Sequence, residues 1–137
     1  MIKRKVLQEF YLARASRDVE KHLSIVHEDC VFRVVGTEEL QPLTRRYQGM
    51  SDLRATAETL FSTWDMRDVE QVSIDQCGDT VYVHHRGDVI YRPDGTVLPT
   101  EYMDKLTFRG GAMVEYLQFV DTFAIAKLLA SKGPQDA

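Results

Sequence analysis

The sequence predicts a single α+β domain in which N-terminal helices pack on a strongly curved antiparallel sheet and enclose a cone-shaped pocket. Apolar residues recur at helical spacing in the first third of the chain. From Val69 onward they are mostly β-branched or aromatic, and turn residues recur at even intervals. The length of 137 residues suits one domain, with a core at about 6–130 and a frayed tail at 131–137.

Three helices are predicted before the main part of the sheet. Apolar spacing defines the first one, at Val6, Phe10 and Ala13. Asp18 is a good N-cap for a second helix, which we expect over 19–27. Ser51 is the equivalent cap for a third helix, which we expect over 51–64.

The strands are predicted from β-type residues between turn signals. A short strand at 30–35 and a loop at 36–46 precede the third helix. The later strands are expected at 69–76, 80–91, 97–108 and 113–121. They are joined by the turns Cys77-Gly78-Asp79, Pro93-Asp94-Gly95 and Arg109-Gly110-Gly111. A short apolar helix at 122–130 ends the domain.

Composition excludes several classes of function. A net charge of −4 gives no basic footprint for nucleic acid. No apolar run approaches the roughly 20 residues that a membrane span requires. Two cysteines form neither a disulfide framework nor a zinc site, and no histidine pair has metal-ligand spacing. We therefore expect a cytoplasmic protein with no cofactor and no metal, and no nucleic-acid or membrane partner.

Four segments resemble a known superfamily, and their order and spacing carry the resemblance. They are Ala15-Ser16-Arg17-Asp18, His27-Glu28-Asp29-Cys30-Val31, Arg46-Tyr47-Gln48-Gly49 and the stretch 108–115 with the later Asp121. The chain resembles the nuclear-transport-factor-2-like, or SnoaL-like, superfamily, which includes ketosteroid isomerases, limonene epoxide hydrolases and polyketide cyclases. The resemblance covers about Val6 to Leu129.

The resemblance implies a pocket for a small hydrophobic molecule and a homodimer formed through the outer face of the sheet. It also implies a cofactor-independent acid–base enzyme of epoxide hydrolase, isomerase or cyclase type. The same fold hosts proteins without catalysis, so a binding protein for a hydrophobic ligand is the alternative.

A row of polar side chains shares one face of the strand at 80–91, because residues two apart on a strand point the same way. The row consists of Tyr82, His84, Arg86 and Asp88. It forms either a polar pocket wall, in which Tyr82 and His84 bind ligand, or a solvated face with a surface ion pair. Gly87 could mark a bulge that breaks the alternation.

Limonene epoxide hydrolases carry Arg-x-Asp on the matching strand and another Asp near the end of the last strand. The resemblance therefore implies catalytic roles for Arg86, Asp88 and Asp121. One carboxylate would take a proton from water, the other would protonate the epoxide oxygen, and the arginine would hold both. Polyketide cyclases of the SnoaL type also use an Asp at the position of Asp121. The plain interpretation of Asp121 is a cap near a helix N-terminus.

Asp104 is the fourth catalytic candidate, because apolar and aromatic residues share its strand face, namely Tyr102, Leu106 and Phe108. Burial there would raise its pKa and keep the carboxyl protonated as a hydrogen-bond donor, the role that the resemblance to ketosteroid isomerases implies. The tyrosine and the general-base aspartate of those isomerases match Phe10 and Val34. Tyr11 is one position out of register, so we expect it to point elsewhere on the helix. The alternative is a partly exposed Asp104 paired with Lys105 or with an arginine of a neighbouring strand.

Aromatic side chains are expected to form the hydrophobic walls of the pocket. They are Phe10, Phe32, Phe61, Trp64 and Tyr102. Structural or surface roles are expected for His22 and His85, and Tyr116 and Gln118 could face a partner subunit.

Overall fold

Four α-helices and six β-strands make up residues 2–132, the part of the chain that the computed structural model describes. The helices are α1 (Arg4–Ala15), α2 (Val19–Leu23), α3 (Met50–Thr63) and α4 (Thr122–Ser131). The strands are β1 (Val26–Val35), β2 (Tyr47–Gln48), β3 (Trp64–Cys77), β4 (Thr80–Tyr91), β5 (Thr96–Arg109) and β6 (Ala112–Phe119). A single 3₁₀ turn, Glu38–Leu40, lies in the predicted loop. The predicted tail beyond Lys132 lies outside the described residues.

The strands form one sheet in the order β2-β1-β6-β5-β4-β3. The meander from β3 to β6 is antiparallel, as predicted. The pair β1–β6 is parallel, which corrects the expectation of a wholly antiparallel sheet. A parallel pair needs a crossover, and nearly the whole domain lies between these two strands along the chain. The α+β cone fold is confirmed, with this one parallel pairing.

Two helix boundaries differ from the prediction. The second helix ends at Leu23, and His27 lies in β1, because the chain at Ile25 and Val26 already bonds to Met113 of β6. The third helix begins after Gly49, whose φ of 91° is readily adopted only by glycine.

Strand β3 begins at Trp64, five residues before the predicted start at Val69. It is an edge strand in which Asp65 alone is buried, so its sequence lacks the alternation that marks a half-buried strand. Trp64, expected to end the third helix, is therefore the first residue of a strand.

The helices cover one face of the sheet and form the core with it. Leu7 and Phe10 of α1, Leu23 of α2 and Leu53 of α3 belong to one buried cluster with side chains of β1, β4, β5 and β6. Along β4 every second residue from Val81 to Tyr91 is buried, except Gly87, which is half-buried but keeps the same phase. The irregularities in pairing with β4 lie instead in β3, so Gly87 does not break the alternation.

Candidate active site

A cavity of about 100 Å³ lies between the helices and the sheet. Its lining is mainly apolar and includes the five aromatic residues expected as walls, Phe10, Phe32, Phe61, Trp64 and Tyr102. Val34, which the resemblance matches to the isomerase general base, also lines it. Among the described lining residues there is no aspartate or glutamate. Such a concave, mostly apolar pocket with a few polar groups is the usual form of a small-molecule site.

Arg14 forms the centre of the polar end of this cavity. It lies on the face of α1 that also carries Phe10, one helical turn earlier, and it is 9% exposed. Its Nη2 donates to the hydroxyl of Tyr102 at 2.7 Å, and its Nη1 donates to the hydroxyl of Tyr116 at 3.1 Å. Its buried Nε has no hydrogen-bond partner among the described residues.

Asp104 is fully buried behind this arginine. Its Oδ2 lies 3.7 Å from Nη1 of Arg14 and accepts a hydrogen bond from Tyr11 at 2.7 Å. Further donors to the carboxylate are Tyr116 at 3.1 Å, His85 Nε2 at 3.1 Å and Gln118 Nε2 at 3.0 Å. This set of donors around one carboxylate holds it in its ionised form.

The expected rise in the pKa of Asp104 is therefore wrong. Burial does act to raise it, but the hydrogen bond from His85 and the charge of Arg14 outweigh burial and hold the pKa below its usual value. The carboxylate accepts hydrogen bonds and has no proton to donate. Asp104 does not line the cavity itself. It accepts hydrogen bonds from Tyr116 and Gln118, and both of those residues line the cavity.

Three further sequence expectations are corrected by this network. Tyr11, expected to point elsewhere on the helix, donates directly to Asp104. Tyr116 and Gln118, expected to face a partner subunit, are each 7% exposed and bond to Asp104. Their strand face is the inner one, because both side chains line the cavity.

The hydroxyl of Tyr102 is the donor best placed to meet a ligand. It accepts from Arg14, and the acceptor for its own proton is the sulfur of Met66, at 3.8 Å. A thioether is a weak acceptor, and both Tyr102 and Met66 line the cavity. Burial raises the pKa of Tyr102 to about 12, so the hydroxyl keeps its proton at neutral pH. A ligand oxygen would be a stronger acceptor for this proton than the sulfur.

His22 adds an acceptor to the cavity lining. Its Nδ1 lies 3.0 Å from the carbonyl oxygen of Phe10, which can only accept, so Nδ1 carries the proton and Nε2 is the free base. Burial lowers the pKa of His22 to about 4, although the bond to Phe10 opposes this. The ring is therefore neutral at pH 7.

The row on the other face of β4 does not line the cavity. Tyr82, Arg86 and Asp88 are exposed, and His84 is partly exposed and paired with Glu101. This corrects the interpretation of the row as a pocket wall. Strand alternation turns Val81, Val83 and His85 inward, so the row between them faces solvent.

The three residues matched to the epoxide hydrolase pattern are not brought together at the cavity. Arg86 pairs with Glu70 on the neighbouring strand at 3.6 Å. Asp121 is exposed and caps α4, with its carboxylate accepting from the backbone N–H of Ala124 at 3.0 Å. Neither these two residues nor Asp88 lines the cavity.

The polar end contains residues that sequence reasoning did not select as site residues. Two of them, Arg14 and His85, occur at positions that the apolar pattern of their element marks as buried. Arg14 occurs at helical spacing from Leu7 and Phe10, and a charge on an apolar helix face marks a buried partner. His85 likewise interrupts the inward row of valines on β4.

Two features are absent from residues 2–132. No group of three or more His, Cys, Asp or Glu side chains there is arranged to hold a metal ion. None of the helices in that range is long and apolar enough to cross a membrane.

The fold defines a domain of the nuclear-transport-factor-2-like class. The sequence matches the SnoaL-like domain family over residues 7–116, and the chain belongs to that family. No curated protein is significantly similar to it in sequence.

Solved structures share the fold at low sequence identity. A protein from Rhodopseudomonas palustris, named for a proposed isomerase activity, is 14% identical with a TM-score of 0.80, covering 96% of this chain and 99% of its own. TerC, crystallised with polyporic acid, is 19% identical with a TM-score of 0.78, covering 92% and 96%. An epoxide hydrolase from M. tuberculosis, like the limonene enzymes, is 15% identical with a TM-score of 0.69, covering 96% and 95%.

Proposed function

We propose that this protein is a cofactor-independent acid–base enzyme of isomerase or cyclase type that acts on a small hydrophobic molecule in the cavity. Its central step is the stabilisation of negative charge on a substrate oxygen by the hydroxyl of Tyr102. The observation that carries the proposal is the pairing of this hydroxyl with Arg14 at 2.7 Å in an otherwise apolar cavity.

The charge of Arg14 makes Tyr102 a stronger donor than an isolated phenol. Accepting a charge-assisted hydrogen bond polarises the O–H group towards whatever accepts its proton. A preorganised donor in a water-poor site favours an oxyanion, and removing one such donor typically costs about 10²–10³ in rate. The enolate formed when a carbonyl compound loses its α-proton is the oxyanion that suits isomerisation and aldol-type cyclisation.

Epoxide hydrolysis is less well supported for this chain. That reaction needs a carboxylate to activate water, and the three residues matched to it lie outside the cavity lining. The carboxylate of Asp104 is fully buried and already accepts from Tyr11, Tyr116, His85 and Gln118. The membership of the SnoaL-like family and the structural neighbours named for isomerase activity agree with enolate chemistry.

The cavity volume sets the size of a suitable probe. An apolar cavity of about 150 Å³ in another protein holds a benzene molecule. The cavity here, about 100 Å³, is of the order needed for one ring. A neighbouring cavity of about 110 Å³ also has Leu60 and Trp64 in its lining, so a larger substrate could extend in that direction.

The test uses 4-nitrophenol, a one-ring compound whose visible absorption reports whether its oxygen is ionised. We expect binding to lower the pKa of the bound phenol, and Tyr102→Phe to weaken phenolate binding about tenfold or more. Tyr82→Phe is the matched control, because Tyr82 lies on the outer face of β4. 4-Nitroanisole has a similar shape but cannot ionise. Equal affinity for both compounds in the unaltered protein would contradict an oxygen-binding end.

A non-catalytic binding protein is the second candidate, and one observation favours it. The described cavity lining has no carboxylate that could serve as a general base. The two candidates differ in a hydrogen–deuterium exchange measurement with 2-indanone, a small ketone with acidic α-protons. An enzyme that stabilises an enolate accelerates α-exchange in D₂O, whereas a carrier binds the ketone and leaves the exchange rate unchanged.

A further inference from the structure

We propose that His22 is the proton acceptor of this cavity and that its Nε2 removes the α-proton of a bound carbonyl compound. The inference rests on the proposed function, since it supplies the base that an enolate-forming site requires.

The ring of His22 is held in one orientation and one tautomer. Its Nδ1–H donates to the carbonyl oxygen of Phe10 at 3.0 Å. The ring stacks on Phe10 at 3.9 Å between centroids and meets the edge of Phe61 at 5.0 Å. These contacts come from α1 and α3 and leave Nε2 as the unprotonated ring nitrogen. Within the described residues, no protein group bonds to Nε2.

The charges around His22 keep it in the basic form. Burial is the largest influence, and Arg14 on α1 also lowers its pKa, whereas the bond to Phe10 and the charge of Asp104 on β5 raise it. The ring is therefore unprotonated at neutral pH, as a general base must be before it accepts a proton.

No other described group at the cavity competes well for this role. Val34 lies where the related isomerases carry their base, and it is apolar. Asp104 is occupied by its four donors and does not line the cavity. Gln118 lines the cavity, but its amide oxygen is not basic enough to remove a proton from carbon.

The proposed step is balanced without a co-reactant. Nε2 of His22 takes the α-proton, the C–H electron pair becomes the C=C bond of the enolate, and the carbonyl π pair moves to oxygen, where Tyr102 donates a hydrogen bond. Return of the proton from the imidazolium to the same or another carbon regenerates His22. Exchange with D₂O solvent labels the α-carbon.

The central test is α-exchange of 2-indanone in D₂O, followed by proton NMR. His22→Asn places an amide N–H near the position of Nδ1–H but has no counterpart of Nε2. We expect this variant to lose about 10²-fold or more in exchange rate, the usual contribution of a positioned base. His27→Asn is the matched control, because His27 lies in β1 away from the described cavity lining.

A merely structural role for His22 is distinguished by two readouts. The proposal requires His22→Asn to keep the unaltered affinity for 4-nitrophenol and a cooperative unfolding transition while exchange falls. Parallel losses in all three would overturn the base role. A ¹⁵N NMR spectrum of histidine-labelled protein must also show Nε2 of His22 unprotonated, and a proton on Nε2 would overturn it.

Failure of this inference is separable from failure of the proposed function. If Tyr102→Phe slows exchange and His22→Asn does not, the oxygen site stands and His22 is not the base. If the unaltered protein does not accelerate exchange but ionises 4-nitrophenol, the proton transfer is overturned and a binding protein remains. If 4-nitrophenol binds no better than 4-nitroanisole, the oxygen site itself is wrong.

Discussion

At the scale of single residues, the most costly feature to bury is the charged pair of Arg14 and Asp104. Two opposite charges are removed from water. Asp104 accepts hydrogen bonds from tyrosine, histidine and glutamine side chains, and Arg14 donates hydrogen bonds to the hydroxyls of Tyr102 and Tyr116. Such a pair adds little net stability compared with an apolar core, but the loss of one partner leaves a buried charge uncompensated. The pair therefore fixes the geometry of Tyr102 and Tyr116 at the cavity.

Asp104→Asn is expected to lower the free energy of unfolding by about 3–5 kcal/mol, because the charge of Arg14 would remain buried without its counter-charge. Urea unfolding at neutral pH measures the change. Asp88→Asn is the control, since Asp88 is exposed on β4 and its replacement should change stability by less than about 0.5 kcal/mol. Similar small losses in both variants would contradict a buried ion pair.

The pH dependence of stability is expected to reflect His22. Its pKa falls from 6.5 to about 4 on folding, so the unfolded chain binds more protons between these values. The contribution of the neutral His22 ring to the free energy of unfolding is fully present above about pH 6.5. It is lost as the pH falls through about 4. A pKa shift of this size corresponds to a change of about 3 kcal/mol in the free energy of unfolding across that pH range.

His22→Phe should therefore flatten the pH dependence of unfolding over that range. Denaturant unfolding of both proteins at several pH values measures the two slopes. Parallel curves would show that His22 is not buried as a neutral ring.

At the scale of elements, the pairing of β3 with β4 depends on a close backbone approach at Gly87. Its φ is 151°, and a Cβ at this position would lie 2.4 Å from the carbonyl oxygen of Asp68. The nearby register shift between Asp65 and Asp68 lets the edge strand bend while β4 keeps its alternation. The pairing of β3 with β4 beside the inward-facing His85 therefore requires glycine at position 87.

Gly87→Ala is expected to destabilise the protein by more than about 2 kcal/mol, because backbone rather than a flexible side chain blocks the added methyl group. Gly78→Ala is the control, since its φ of 58° costs about 1–2 kcal/mol but nothing lies within 4 Å. Thermal unfolding of the two variants compares them. A smaller loss for Gly87→Ala than for Gly78→Ala would be inconsistent with the close approach.

Most elements could be predicted from local sequence, and the exceptions have physical causes. The turn at Pro93-Asp94-Gly95 and the cap at Asp121 depend on neighbouring residues alone, and both are confirmed. The start of β3 could not be predicted, because an exposed edge strand needs no apolar alternation. The parallel pairing of β1 with β6 is decided by contacts far apart in the chain.

The polar end of the cavity could be predicted only in part. Tyr102 and the burial of Asp104 follow from the apolar strand face that they share. The direction of the pKa shift of Asp104 could not be predicted, because its donors come from α1, β4 and β6 and are up to 93 residues away in sequence. The contact of His85 with Asp104 could not be predicted either, because the polar row on the other face of β4 is the one that matches a family pattern.

At the scale of the whole molecule, the outer face of the sheet is the surface through which we expect a homodimer. Met103 and Phe119 are register partners on β5 and β6, and they are 38% and 46% exposed. Adjacent exposed apolar side chains on a sheet face favour association with a second copy.

Phe119→Glu is therefore expected to convert a dimer to a monomer, measured by light scattering after size-exclusion chromatography. Phe123→Glu is the matched control, because Phe123 is 76% exposed but lies on α4. If the unaltered protein is a monomer, there is no such interface. If only Phe123→Glu dissociates the dimer, the interface lies at α4 and not on the sheet.

At this scale the central proposal is that the cavity holds a substrate oxygen beside Arg14 and Tyr102. The most direct test is a crystal structure of the protein with 4-nitrophenol bound at neutral pH. We expect the phenolate oxygen within about 2.5–3.0 Å of the Tyr102 hydroxyl oxygen, the range for an O–H···O hydrogen bond. A ring bound with its oxygen directed away from Tyr102, or bound outside the cavity, would contradict it.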